Sequence, residues 1–105
     1  KQEALIDWQK NAVTLEREVR AFNPWPVSFS YLDKQLVKIW TAQSTEQACS
    51  LQPGQVLLHD RDAIHVCCGE GVLRIRELQL AGKKRTTAGQ LLNARDLSGA
   101  SFRPE

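Results

Sequence analysis

Three cations stand side by side in the segment AGKKRTT, where Lys83, Lys84 and Arg85 come just before a predicted helix start. The free amides and the positive dipole end at a helix start favour an anion, and phosphate suits both. Arg74 and Arg76 share one face of the preceding predicted strand and could extend the same patch. The alternative interpretation is a solvated charge cluster without a partner.

The positive charge is local. The window from 71 to 95 holds six Lys or Arg against one acidic residue, a net charge of +5, whereas residues 1–52 carry six charges of each sign. The whole chain has a formal net charge of only +2. Such an uneven distribution is typical of an electrostatic contact surface for a polyanion.

Catalytic residues are harder to place. His59 and His65 lie on two strands of a predicted hairpin, with Asp60 and Asp62 in the bend between them. A metal site needs three or four ligands at a recognisable spacing, so we interpret these as solvated or cross-strand residues. The sequence contains no glycine-rich phosphate loop, nucleophile elbow or H-E-x-x-H motif. We expect no catalytic residue, metal or cofactor here, and taken alone the chain is not a complete enzyme.

Length and composition predict one domain over residues 1–105, with a frayed tail over 98–105. No apolar run approaches the roughly 20 residues of a membrane helix, so we expect a cytoplasmic monomer without membrane contact. Cys49, Cys67 and Cys68 form neither an even disulfide set nor a C-x-x-C pair, which favours reduced, packed thiols.

The first helix is predicted over residues 11–22, with Asn11 as N-cap and an apolar stripe formed by Ala12, Leu15, Val19 and Phe22. Before it, LIDW is predicted to be extended, with Ile6 and Trp8 on one side.

The segment NPWP follows this helix. Pro24 should end the helix near Asn23, and Pro26 should keep Trp25 extended. We expect this rigid segment to seat Trp25 in a packed core between helix and sheet. A Trp25→Ala change would then cost about 3–5 kcal/mol.

Five strands are predicted after Pro26. In VSFSYL the alternation places Val27, Phe29 and Tyr31 on the buried side, and Asp33–Lys34 forms a tight turn into QLVKIWTA. After a polar loop, QVLLHD, IHVCC and VLRIRELQL give three more strands in hairpin order.

The last strand contains an inconsistency. Leu73 and Ile75 lie on one face of a regular strand, whereas Leu78 and Leu80 lie on the other. A β-bulge near 76–77 would bring them together and bend the strand, as a small barrel requires.

A closing helix in TAGQLLNARDL begins with a capping box, Thr87 as N-cap and Gln90 three residues later. The predicted fold is therefore mainly β with flanking helices (α+β), a small OB-like or Greek-key barrel of about five to six strands.

Aromatic residues are separated from the basic window, and we expect each to pack in the core; they are Trp8, Phe22, Trp25, Phe29, Tyr31 and Trp40. A structured RNA recognised through its backbone fits this separation better than a stacked single strand.

These pieces together resemble one family. IDW before a helix, RAFNPWP, VKIW, PG opening a strand, GEGVLRIRELQLAGKKR and LLNARDL match, in this order, the C-terminal domain of methionyl-tRNA formyltransferases. The resemblance covers roughly residues 6–97. Val27 stands where many relatives have glycine, and Thr86–Thr87 where they often have Met–Ser.

The resemblance implies an OB-like barrel joined to an N-terminal catalytic domain that this chain lacks. That domain would transfer a formyl group from 10-formyltetrahydrofolate to methionyl initiator tRNA, while the barrel holds the tRNA through a basic face, largely without reading bases. By position, Lys83, Lys84 and Arg85 match the family's basic segment, and Lys38 matches the lysine of its KIW strand. Arg74 and Arg76 are added from strand geometry.

Two alternatives stay open. A formyltransferase-like enzyme that acts on sugar nucleotides or processes formyltetrahydrofolate would have a similar closing domain but no need of the run at 83–85. A free-standing OB-type single-strand binder or protein-interaction module would instead expose Trp25 and Trp40 on one face.

Overall fold

The computed structural model describes residues 2–59 and 61–105. Over these residues the chain forms two α-helices, seven strands and a short 3₁₀ helix at Gln2–Ala4. The helices are α1 (Ala12–Ala21) and α2 (Ala88–Ala94). The strands are β1 (Ser28–Leu32), β2 (Gln35–Thr45), β3 (Val56–His59), β4 (Ile64–Cys67), β5 (Val72–Leu80), β6 (Thr86–Thr87) and β7 (Phe102–Arg103).

The strands form one antiparallel sheet in the order β3-β4-β5-β2-β1-β7, with β6 paired to β5. The two outer ends meet, because Val56 N donates to Ala100 O (2.9 Å) and Phe102 N donates to Gly54 O (2.7 Å). The sheet is therefore a nearly closed barrel. The long connection from β2 to β3 brings β2 beside β5, as in a Greek key. The predicted fold class is confirmed.

The helices begin where the sequence predicts. The Asn11 side chain accepts a 2.8 Å hydrogen bond from Thr14 N, and α1 buries Ala12, Leu15 and Val19 against the sheet. At α2, Thr87 and Gln90 form the complete capping box. Among the described residues, no helix combines the length and apolar character needed to cross a bilayer.

The predicted bulge is present and lies opposite a second one. Ile39 pairs with Leu78 and Thr41 with Glu77, so Trp40 is an extra residue on β2. Since Ala42 pairs with Ile75, Arg76 is likewise an extra residue on β5. As a result Leu73, Ile75 and Leu78 all have a relative exposure of 0%.

Strand β1 faces the opposite way from the prediction. Ser28 and Ser30 are buried, whereas Phe29 and Tyr31 are half-buried on the outer side. The cause is a distant partner: Trp8 Nε1 donates a 3.0 Å hydrogen bond to Ser30 Oγ, which in turn donates to Arg103 O (3.0 Å). Ser30 can lie inside the barrel because its hydroxyl has hydrogen-bond partners there.

The prediction of a frayed tail over 98–105 is wrong. Phe102 in β7 pairs with Leu32 of β1, is buried, and lies 5.6 Å from the Trp8 ring between centroids. Packing against Trp8 and closure of the barrel hold this segment in place.

The expectation of three reduced cysteines also requires correction. Cys49 and Cys67 form a disulfide, with their Cα atoms 5.9 Å apart, and this links the loop after β2 to β4. Cys68 is free and buried. Of the four residues weighed as a histidine cluster, Asp60 and the side chain of His59 lie outside the described part, and His65 pairs with Leu58.

Candidate nucleic-acid interface

The predicted cations of β2 and β5 lie on the outer face of these two strands. Val37 and Ile39 are fully buried, so Lys38 between them points outward, opposite Gln79 of β5. Leu73 and Ile75 point into the core in the same way, which turns Arg74 and Arg76 outward.

The run Lys83–Arg85 forms the connection from β5 to β6, and all three residues are exposed. Lys83 N donates to Leu80 O (3.0 Å), and Gln79 Nε2 donates to Lys83 O (2.9 Å). The connection is thus held against the end of β5. We call the surface formed by Lys38, Arg74, Arg76, Lys83, Lys84 and Arg85 the basic face.

Arg85 is held in place by two contacts. Its guanidinium lies 4.4 Å from the ring centroid of Trp40 and forms a 2.5 Å ion pair with Glu77. Trp40 is itself oriented, since its Nε1 donates to Gln79 Oε1 (3.0 Å). The Arg85 side chain keeps 46% of its surface exposed, so it still meets solvent.

The two arginines of β5 lie farther along the strand. Arg74 donates from Nη1 to Gln43 Oε1 (3.3 Å) and approaches His65 Nε2 at 3.5 Å. Arg76 lines an open depression of about 320 Å³ whose wall also includes the acidic residues Asp62 and Glu77. At about 3.3 Å per residue, the distance from Arg74 to the end of β5 is about 20 Å. The basic face is therefore an elongated stripe, able to contact several phosphates.

Trp25 does not lie where the sequence predicts. Its side chain is 82% exposed, so the expectation of a packed core position is wrong. Val27, which follows the second proline, is the buried residue of the segment, and its N–H donates to Phe22 O (2.9 Å). Trp40 is half-buried and Pro24 is exposed.

None of the five depressions found among the described residues has the form of a folate site. Five depressions on the described surface measure about 140–360 Å³, and all are shallow and open. A ligand of folate's size is usually buried to about 70–90% in a cleft with converging polar groups. We therefore derive no reaction step on this chain.

The fold and the site define a small β-barrel domain with a basic outer face. The chain belongs to the family described as "Formyl transferase, C-terminal domain", whose model matches residues 1–96. The family resemblance expected from the sequence motifs is thereby confirmed.

Relatives in this family include two proteins of Coxiella burnetii named methionyl-tRNA formyltransferase. The chain is 45% identical to that of strain RSA 331 / Henzerling II over 94 residues, which cover 90% of this chain and 30% of the relative. It is 44% identical to that of strain CbuK_Q154 over the same length. The chain thus spans less than a third of these relatives.

Two solved structures of HypX from Aquifex aeolicus have the same fold. The complex with tetrahydrofolic acid matches with a TM-score of 0.72 and 19% identity, covering 94% of this chain and 18% of HypX. A variant with six alanine substitutions matches with a TM-score of 0.71 and 20% identity, covering 90% and 17%. At this identity the match describes the fold alone.

Proposed function

We propose that this chain is the tRNA-holding C-terminal domain of a methionyl-tRNA formyltransferase. The domain binds methionyl initiator tRNA by contacts between the basic face and the phosphate backbone. The observation that carries this proposal is that the cations of β2 and β5 point outward and that the exposed run at 83–85 continues from the end of β5. A relative at 45% identity is named methionyl-tRNA formyltransferase, which supports methionyl-tRNA as the polyanion.

Formyl transfer itself belongs to a catalytic domain outside this chain, with 10-formyltetrahydrofolate as donor. The barrel contributes by lengthening the residence of tRNA on that domain. Since phosphate contacts carry no sequence information, the choice of initiator tRNA is made elsewhere. The proposed setting is the cytoplasm, with one barrel per tRNA.

A salt-dependent titration of the 105-residue chain with tRNA tests the proposal. For about four to six neutralised phosphates, log K should fall with log salt at a slope of roughly −3 to −5. The dissociation constant should lie near 10⁻⁴ to 10⁻⁶ M at physiological salt. An absence of binding at low salt, about 50 mM, would overturn the proposal.

Charge substitutions make the test specific. Changing Lys83→Gln and Lys84→Gln together should weaken binding and reduce the magnitude of the slope by about two. Changing Arg17→Gln and Lys34→Gln together removes two exposed cations outside the basic face and is the matched control. Equal losses in the control and the double variant would show that only net charge matters.

The basic face also separates this proposal from the small-molecule alternative. If this chain were the closing domain of a sugar-nucleotide or formyltetrahydrofolate enzyme, restoring Lys83 or Lys84 in the double variant would not improve tRNA binding. Reverting the double variant one lysine at a time should restore tRNA affinity stepwise if phosphate contacts are the cause.

A further inference from the structure

Trp25 occupies the tip of a short loop between α1 and β1 and leaves 82% of its side chain in solvent. Water contact is unfavourable for the largest apolar side chain of the protein, so a binding partner would explain its position. The other large apolar side chains found exposed in the described part are Val13 and Leu51.

The loop is anchored at both ends. Val27 N donates to Phe22 O across its base (2.9 Å), and Asn23 Nδ2 donates to Trp40 O (3.0 Å). Two of its four residues, Pro24 and Pro26, have φ restricted by their rings. The indole is therefore presented from a firm base, and little conformational entropy is lost when a partner binds it.

The same anchor ties the base of the loop to β2 at Trp40, at one end of the basic face. Trp40, whose carbonyl the Asn23 side chain binds, carries Arg85 on its ring at 4.4 Å. Two residues of chain span at most about 7 Å, so Trp25 lies within that distance of Asn23 between Cα atoms. A ligand held by the cations at this end of the stripe can reach the indole.

The surroundings favour a nucleobase over an apolar protein partner. Val13 lies in the first turn of α1 and Trp25 beyond its last, and a helix of 10 residues is about 15 Å long. The exposed indole is thus separated from Val13, whereas its loop is tied to the strand whose Trp40 ring carries Arg85. An aromatic ring beside cations is the arrangement on which unpaired bases stack, whatever their sequence.

We propose that Trp25 stacks on an unpaired base of the RNA that the basic face holds by its phosphates. This inference rests on the proposed function and adds a second element to it, a contact that distinguishes loops from duplex. The expected separation between aromatics and cations is also corrected, because folding brings the Trp40 ring under Arg85.

The experiment compares two RNAs of similar length: tRNA, which has unpaired loops, and a fully paired duplex. Trp25→Ala should weaken tRNA binding about tenfold, leave duplex binding unchanged and leave the salt slope unchanged. Trp25→Phe should retain most of the affinity, since phenylalanine also offers a ring. Because the side chain is exposed, the melting temperature of both variants should equal that of the wild type.

The Lys83→Gln, Lys84→Gln double variant separates this inference from the function it rests on. This variant should weaken the binding of both RNAs and reduce the slope of log K against log salt. If Trp25→Ala leaves tRNA binding unchanged while the double variant weakens it, stacking is overturned and phosphate holding stands. Equal losses on tRNA and duplex would also overturn stacking. If the wild type binds neither RNA, the proposed function fails as well.

The same variants also test whether Trp25 contacts a protein instead of RNA. If Trp25→Ala leaves both RNAs unaffected but abolishes self-association in sedimentation, or association with the catalytic part of a relative, the indole serves a protein contact and base stacking is overturned.

Discussion

The guanidinium of Arg85 lies over the ring of Trp40, 4.4 Å from its centroid, and at the same time forms a 2.5 Å ion pair with Glu77. Glu77 is the one acidic residue of the basic window, and it points outward because the bulge at Arg76 resets the strand. Under the proposed function, Glu77 would therefore compete with an RNA phosphate for Arg85.

Glu77→Gln should tighten RNA binding. Exposed ion pairs are worth about 0–1 kcal/mol, so releasing Arg85 should lower the dissociation constant up to about fivefold. Glu46→Gln, an exposed change on the loop after β2, is the control for net charge. Weaker binding of Glu77→Gln, measured by titration at fixed salt, would show that Glu77 orients Arg85 rather than competing for it.

Ser30→Ala should destabilise the fold. The hydroxyl of Ser30 accepts a hydrogen bond from Trp8 Nε1 and donates to Arg103 O, both at 3.0 Å. Its removal leaves a buried indole N–H without a partner, at a cost of about 1–3 kcal/mol. Urea unfolding measures the change, and exposed Ser50→Ala is expected to stay within about 0.5 kcal/mol of the wild type. Equal values for both serines would refute the inward position of Ser30.

Acid should weaken the contact between α1 and β2. The hydroxyl and the backbone N–H of Ser44 both donate hydrogen bonds to the Glu16 carboxylate. These two bonds, the hydroxyl's being the larger effect, and the nearby Arg20 lower the pKa of Glu16, while burial opposes them. Because the folded pKa lies below the unfolded value near 4.3, the stabilisation is present above that pH. It is lost as the pH falls through the lower, folded pKa.

The free energy of unfolding measured between about pH 3 and pH 7 tests this pattern. Glu16→Gln should be less stable than the wild type at neutral pH, and the difference should shrink on acidification. A difference that stays constant over this range would contradict the role of the Glu16 carboxylate.

Glycine at 54 is required where the barrel closes. Gly54 has φ +96°, and a Cβ there would collide with the carbonyl oxygen of Phe102. Gly82 has a similar φ of +74°, with nothing within 4 Å of a Cβ. Gly82→Ala should therefore show only the backbone strain of about 1–2 kcal/mol, and Gly54→Ala distinctly more. Thermal unfolding of the two variants separates the cost of backbone strain from that of the collision with Phe102. An equal loss of stability in both variants would rule out the collision.

Thiol reactivity should follow the three cysteine environments. Burial raises the pKa of the Cys68 thiol to about 11, so it should resist alkylation in the native protein at pH 8. Denaturation without a reductant should release one thiol per chain, and reduction all three. Three thiols in unreduced, denatured protein would show that Cys49 and Cys67 are not bonded.

Local features of the chain could be predicted from the sequence alone. The Thr87 and Gln90 capping box and the N-cap at Asn11 depend on residues three positions apart. The turn at Asp33–Lys34 has both φ values positive, 53° and 66°, as a tight hairpin requires. The bulge in β5 followed from a mismatch within a single strand. Each of these features depends on residues close in sequence. The order of the motifs along the chain also indicated the family.

Tertiary structure alone decided which way β1 faces, how the C-terminal segment packs and where Trp25 lies. An alternating strand has two faces, and only the hydrogen bond from Trp8, 22 positions earlier, selects the face that carries Ser30. Phe102 is buried because barrel closure brings it to Trp8. Trp25 is exposed on a loop tied to β2 because Asn23 binds the backbone of Trp40. In each case the partner is remote in sequence, so local pattern holds no information about it.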